Sequence, residues 1–378
     1  MSNGLQPGEW TFEWLTRWDE VWADSFQSQW KAWMAQSANA HVFFEPPIIR
    51  AWHDTYMPLR KIEPRFLVAR RGSDHTVFLP LVLDRGGWKD AWQRAILPAG
   101  HCEFDYHDPI AVGQMDESCW RSFWQAFEQE LLTLWRGTFE VASIGRVRGD
   151  VLPVESRGDP VDEVPWLDVE HFKSMEEFLA GGSRKNLRHQ FNRKVVKLEQ
   201  EGDANVYIFG TQEAKEARRS IGLFSLAHAA RWPYAGTPYI FFDYLIEHCL
   251  SHGLLVLSEL RINSQCISRR VCFKHKRRLH DYVTAYPEDM ARYSPGMVHF
   301  GKLVEWALHN GCTMIDIGRG KEEWKLRWTA DTLPLYSLRW DNKGVRSAVS
   351  RMWQESIRPH VMRAKRRLLG RKSKLVSD

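Results

Sequence analysis

Apolar positions along this chain recur with two periods, about two and about 3.6 residues, and the switches between them predict its elements. Trp10, Phe12 and Trp14 alternate with polar residues and predict a short strand over 10–14. Thr16 with Asp19 then opens a helix to about Gln36, in the manner of a capping box. Residues 66–69 and 76–83 are strand-like, and the Gly72-Ser73-Asp74 turn joins them into a hairpin. Pro80 has no N–H for a ladder, which places part of the second strand at an edge or a bulge. A strand over 95–97 precedes an irregular stretch from His101 to Pro109. Trp120, Phe123, Trp124, Phe127, Leu131 and Leu134 then share one face of a helix over 118–136.

Between Arg146 and Pro165 the periodicity stops, and turn signals mark a connection between domains. Beyond it, Leu187, Phe191, Val195 and Leu198 form the apolar stripe of a basic helix over 183–200. Arg184, Lys185, Arg188, Arg193, Lys194 and Lys197 cover its other faces. A strand over 206–209, helices over 212–230 and 239–252, and strands over 254–261, 266–274 and 279–286 follow. Asn263-Ser264 is the hairpin turn between the first two of those three strands. A helix over 297–310, a strand over 313–317, a Gly-rich turn, a short helix over 322–328 and a strand over 334–340 complete the pattern. Helices and strands are mixed throughout, so the fold class is α/β with mixed central sheets flanked by helices. Both halves share a coarse order of helices, a strand meander, a helix and a strand, consistent with a distant duplication.

At 378 residues the chain exceeds one ordinary core. The expected division is 1–150, 151–345 and a basic helical tail over 346–378, with the catalytic part within about 165–340. Hydrophobic residues make up 44% and charged residues 26%, as in a globular protein. The net charge of +5 suits an anionic ligand and is low for a dedicated nucleic-acid binder. No apolar run is long enough for a membrane span. The acidic, tryptophan-rich start is unlike a signal peptide, and six scattered cysteines without a CxxC pair fit reduced thiols. A cytoplasmic location is the resulting expectation. The tail carries eight basic residues over 358–374. It either docks its short apolar stripe on the protein or makes weak contact with an anionic membrane surface. Of 19 tryptophans, 12 precede residue 150, and those from Trp10 to Trp33 recur at spacings near four. Helical core packing explains that spacing; sugar stacking in an open groove is the alternative.

Four constellations bear on chemistry. Ser294-Pro295-Gly296 lies between a strand and a helix, where free N–H groups and the helix dipole hold an anion such as phosphate, or simply begin a helix. Asp316-Ile317-Gly318-Arg319-Gly320 stands at a strand end, with Trp324-Lys325 beyond. Arg319 and Lys325 can neutralise an anionic substrate there, or be solvated charges of a turn. The basic helix either binds a phosphate-bearing substrate or is a solvated face. His101, Cys102, Glu103, Asp105, His107 and Asp108 are metal-capable types without a metal-site spacing, so no metal is expected. Walker, Rossmann and Gly-x-Ser-x-Gly patterns do not occur in the sequence.

The order of "SRKNLRHQFNRKV", "LSELRINSQCIS", "YPEDMARYSPG" and "GCTMIDIGRGKEEWKLRW", with "FDYHDPIAV" earlier, resembles the GNAT-type acyltransferases associated with cellulose and exopolysaccharide biosynthesis, often called CelD-like. The resemblance runs from about residue 40 to 340. It implies two GNAT-like halves in tandem, related to Fem-type aminoacyltransferases. It also implies acyl transfer from acetyl-CoA or another acyl-CoA to an amine or hydroxyl of a sugar or related metabolite, beside a polysaccharide-synthesis complex. Its motif falls on Ser294, Pro295, Gly296, Asp316, Gly318, Gly320 and Lys325. The usual pyrophosphate loop, (Gln/Arg)-x-x-Gly-x-(Gly/Ala), is absent, and Trp324 stands where the family tends to have tyrosine. Direct transfer needs a base, for which Asp316 is the first candidate and Asp281 the second, the alternative for Asp316 being a buried structural role capping the glycine turn. An aminoacyl-tRNA donor and a non-catalytic scaffold remain as alternatives.

Overall fold

A computed structural model describes residues 9–86, 93–181, 184–231 and 237–353, with Ser356 and His360. The basic run over 358–374 lies outside the described residues apart from His360. In chain order the strands are β1 (Thr11–Leu15), β2 (Lys61–Arg71), β3 (His75–Arg85), β4 (Arg94–Pro98), β5 (Ile110–Val112), β6 (Val141–Arg148), β7 (Asp162–Asp168), β8 (Ala204–Ile208), β9 (Leu255–Ile262), β10 (Gln265–His275), β11 (Arg278–Ala285), β12 (Met314–Asp316) and β13 (Thr332–Asp341). The helices are α1 (Trp18–Val21), α2 (Asp24–Gln36), α3 (Pro46–Tyr56), α4 (Glu117–Leu134), α5 (Met175–Ala180), α6 (Lys185–Glu199), α7 (Ala214–Arg231), α8 (Ile240–Leu245), α9 (Pro295–His309), α10 (Glu323–Leu326) and α11 (Val345–Met352).

Among the described residues the thirteen strands belong to one mixed sheet, ordered β1-β2-β3-β4-β6-β13-β7-β12-β11-β10-β9-β8, with β5 beside β3. The last strand, β13, lies between β6 of the first half and β7 of the second. It pairs antiparallel with both. The backbone ladder thus continues across the junction of the two halves.

Both faces of β2 and β3 are covered, so their central residues read as nearly continuous apolar runs. On one face Trp30 of α2, fully buried, meets Phe66 edge-on at 5.6 Å and Phe78 at 5.0 Å. Toward the other, Phe123 and Phe127 of α4 pack on Trp10 and Trp14. The early tryptophans are therefore core and core-edge residues, as their packing reading expects. Their spacing of four does not trace one helix, however. It crosses β1, α1 and a break at Trp22-Ala23, so the helix expected from Thr16 to Gln36 is two helices. At its start Glu20 Oε2 accepts the backbone N–H groups of Thr16 and Arg17, in place of the box expected from Thr16 and Asp19. Trp22 stacks between Trp18 and Trp30, and Gln27 Nε2 donates to the Val21 carbonyl at 2.7 Å beside the break.

Pro80 is not on an edge. It sits inside β3, opposite Phe66 of β2. On the other side, β5 pairs with 76–78 and β4 with 81–85, so the missing N–H falls where one partner strand gives way to the next. Leu134, expected on the buried face of α4, is 53% exposed because the helix ends there. The connection expected over 146–165 is shorter. Its ends are the strands β6 and β7, and only 149–161 runs between them. The helix expected over 239–252 becomes α8 and then a wider π turn over Ile246–Leu250. Asn263 and Ser264, at φ 45° and 71°, form the expected hairpin turn.

Candidate active site

β11 pairs with β12 only through 278–280 and 314–316. β12 then ends at Asp316 while β11 continues to Ala285, so the two strands part. Opposite Val271-Cys272 of β10, β11 carries one extra residue, Tyr282, a bulge that bends it. α9 begins at the far end of β11. Ser294 caps it in the left-handed conformation (φ 52°, ψ 48°), and Pro295 occupies the first turn, where its lacking N–H costs nothing. This fifteen-residue helix points the positive end of its dipole at the gap.

Two adjoining cavities fill that gap. The first, about 370 Å³, has Ser294 and Gly296 in its wall with Lys194, Tyr286, Arg327 and Trp328. Lys194 reaches from the basic helix α6, and its ammonium donates to Ser294 Oγ. Burial lowers the pKa of Lys194, so an arriving anion relieves the cost of a partly desolvated charge. A Cβ on Gly296 would meet Tyr286 only at ordinary contact distance, 3.6 Å. The glycine is therefore not demanded by internal packing, and it keeps this wall low.

The second cavity, about 340 Å³, has Glu103, Asp105, Asp281, Gly318, Arg319 and Lys325 in its wall. Arg270, Thr284 and Trp324 belong to both cavities, which makes them neighbours. Arg270, 1% exposed, bonds the Asp281 carboxylate and the Gly296 carbonyl at 2.9 Å, so one guanidinium ties β11 to the start of α9.

The predicted residues separate accordingly. Ser294 and Gly296 face the first cavity, while Pro295 is buried at the helix start. Gly318, Arg319 and Lys325 face the second. Gly318 has φ 73°, and a Cβ there would lie 2.8 Å from the Asp281 carbonyl oxygen, so only glycine fits. Gly320 also has positive φ, 94°. The Lys325 ammonium is buried on the carbonyls of Gly318 and Arg319 and on the Glu322 carboxylate at 2.9 Å, holding the turn closed. Arg319 bonds Asp105 at 2.5 Å and approaches Asp162 at 3.5 Å.

Asp316 lies deeper. Its Oδ1 accepts the Gly318 N–H at 2.8 Å and lies 3.1 Å from His280 Nδ1; Oδ2 accepts the Tyr106 phenol. His280 Nε2 is 2.9 Å from Asp105 Oδ2. Burial by itself lowers the His280 pKa, but Asp316 and Asp105 outweigh it and push the imidazole up to about 10. Burial raises Asp105, yet His280 and Arg319 hold it well below the usual carboxylate range. Asp105 and Tyr106 come from the irregular stretch of the first half, so this charge chain fastens the halves together. On the other side of it a separate cavity, about 220 Å³, is walled by Tyr106, Arg148, Trp166, Phe273, Arg278 and Asp316.

The residue types flagged near 101–108 go to different partners. His101 faces Asp84, His107 bonds the Gly145 carbonyl, and Asp108 pairs with Arg148. Among the described residues no three metal-capable side chains are arranged so that they could hold a metal ion. Local pattern did not single out Arg270 or His280, because each stands beside other polar residues in its strand and the groups that give it a role, Gly296 for Arg270 and Asp105 and Asp316 for His280, come from other elements.

Residues 185–326 match the family model described as Acetyltransferase (GNAT) domain. That span holds α6, β8 to β12, α9 and α10, the elements around both cavities. In fold the chain is similar to FemX, with a TM-score of 0.59 at 9% identity over 86% of this chain and 98% of that one. L-PGS from Bacillus licheniformis is similar at 0.51 and 10%, over 86% of this chain and 94% of that one. So is the C-terminal domain of a putative lysylphosphatidylglycerol synthetase from Agrobacterium fabrum, at 0.50 and 14%, over 80% and 94%. No curated protein matches. The described residues include no helix long and apolar enough to cross a membrane. With a GNAT acetyltransferase domain built around the parted strands β11 and β12, the chain is an acyltransferase.

Proposed function

We propose that the chain transfers an acyl group from an acyl-CoA directly to a small acceptor, an amine or hydroxyl of a sugar or related metabolite of polysaccharide biosynthesis. The observation that carries this reading is the pair of adjoining cavities sharing Arg270, Thr284 and Trp324. One has the features of an anion site: the start of α9, the ammonium of Lys194 and the guanidinium of Arg327. This is where the phosphates of an acyl-CoA would be held by the Ser294 hydroxyl and the Gly296 N–H, with Pro295 fixing the start of the helix. The other has polar walls suited to an acceptor. Holding two reactants across a shared wall contributes several kcal/mol to a direct transfer, without a covalent enzyme intermediate.

In this reading Gly318, Gly320 and Lys325 set the shape of the acceptor cavity, and Arg319 and Arg270 set its charge. Asp281 serves to orient Arg270, and Asp316 to hold His280 and the glycine turn. Each carboxylate is committed to those partners, which makes both poor proton acceptors. The resemblance to the exopolysaccharide-associated acyltransferases supports a sugar-type acceptor. The test is a thermal melt of the protein with acetyl-CoA and longer acyl-CoAs. A ligand at 100 times its dissociation constant adds about 2.7 kcal/mol to stability. Absence of any shift at millimolar acyl-CoA overturns this donor in favour of aminoacyl-tRNA.

A further inference from the structure

We propose that Glu103 binds the protonated primary amine of the acceptor and takes a proton from it, so that the acceptor is an amine and not an alcohol. This rests on the two-cavity reading above. Four carboxylates stand in the wall of the second cavity: Glu103, Asp105, Asp281 and Glu322. Three have cations of their own. Asp105 has His280 and Arg319, Asp281 has Arg270, and Glu322 has Lys325. Glu103 is different. It is 4% exposed, and its side-chain partners among the described residues are neutral hydroxyls: Tyr56, Thr237 at 2.8 Å and Tyr282 at 3.2 Å. Among the described residues no lysine, arginine or histidine lies within ion-pairing distance of it.

A buried carboxylate without a counter-ion is costly, and the cost falls when a cation arrives. Three hydroxyls occupy about three of the roughly four acceptor directions of a carboxylate, which leaves one for a ligand. Tyr282 is kept a donor, since burial and then Glu103 itself push its phenol pKa up. A neutral alcohol in this place would leave the charge uncompensated, whereas an ammonium ion neutralises it. Position agrees with charge. Tyr282 is the bulged residue of β11, and Thr284, two residues along that strand, already belongs to both cavities. An amine held at Glu103 therefore lies on the strand that leads to the donor.

The step balances. The ammonium gives one proton to Glu103. The freed lone pair forms an N–C bond at the thioester carbonyl carbon, and the C–S bond breaks. The second proton of the attacking nitrogen leaves on the CoA sulfur as the thiol. The proton on Glu103 returns to water.

The experiment measures thiol release from acetyl-CoA by the whole chain with paired probes: glucosamine and glucose, ethanolamine and ethylene glycol, 1,5-diaminopentane and 1,5-pentanediol. At least one amine is expected to turn over, or to compete with turnover, where its hydroxyl counterpart does neither. Glu103→Gln is expected to raise KM for that amine roughly 30-fold or more while the affinity for acetyl-CoA stays within about twofold. Glu103→Asp, which keeps the charge, should recover part of the loss. Equal use of hydroxyl partners, no response to any amine, or an unchanged KM in Glu103→Gln overturns the inference and leaves the two-cavity reading standing. Failure of wild-type protein to bind acetyl-CoA overturns that reading instead. If Glu103→Gln does not fold, the comparison of amines with hydroxyls in wild type decides by itself.

Discussion

The phenol of Tyr106 donates to Asp316 Oδ2 across 210 residues of sequence, joining the irregular stretch of the first half to the strand end that precedes the glycine turn. Asp316 also faces His280, so its charge compensates a buried imidazolium. Asp316→Asn is therefore expected to lose stability and activity together. Removing one partner of a buried pair costs about 3 kcal/mol, the low end of the usual range, because Asp105 remains beside His280. Urea unfolding and turnover measured on the same preparation check this. Full stability with turnover reduced roughly 100-fold would instead make Asp316 a base.

A second expectation concerns pH. The folded pKa of His280, about 10, lies above its unfolded value. Its contribution is therefore complete below about pH 6.5 and is lost as pH rises toward 10. Asp105 has the opposite sign: its folded pKa is depressed, so its contribution is present above about pH 4 and lost in acid. The melting temperature should fall by roughly 5 °C between pH 6.5 and 10 beyond the change in a His280→Gln variant. Parallel pH curves for the two proteins would refute this.

Lys194→Ala removes the ammonium beside Ser294 at the start of α9. Acyl-CoA affinity should drop roughly tenfold, more at low salt than at high salt. The melting temperature without ligand should barely move, since Lys194 is only partly buried. Calorimetric titration at two salt concentrations reads both effects.

Gly318→Ala places a Cβ against the Asp281 carbonyl at a positive φ. It should cost roughly 2–3 kcal/mol, more than a glycine replaced in an open turn. Gly72→Ala, also at positive φ but with nothing within 4 Å, is the control and should cost about 1 kcal/mol. Equal losses would mean that steric contact at Gly318 is unimportant.

A fragment of residues 151–378 should lack a cooperative melt by circular dichroism. Leu335 to Asp341 of β13 pair with β6, which the fragment lacks, and Asp105 and Tyr106 are lost from the chain around His280. A sharp transition in the fragment would show that the second half folds alone.

Periodicity by itself determined the elements with strong local signals: the β2–β3 hairpin, α4, α6, the β9–β10 turn at Asn263-Ser264, α9 and the glycine turn. In each, the burial pattern or turn chemistry lies within a few residues. Ser294, Gly296 and Gly318 were legible for the same reason, since helix starts and positive-φ turns use particular residue types. Tertiary structure decided the rest. The connection read over 146–165 held two strand ends, because β6 and β7 are defined by pairing with β13, far along the chain. Lys325 and Arg319 looked like free cations until the fold supplied Glu322, Asp105 and the turn carbonyls. Glu103 looked like one of several metal-capable residues until folding gave its neighbours cations and gave it, among the described residues, hydroxyl partners. A local pattern reports which face of an element is apolar; it does not report which charge will be buried beside which. That depends on distances set only when the two halves close on one sheet.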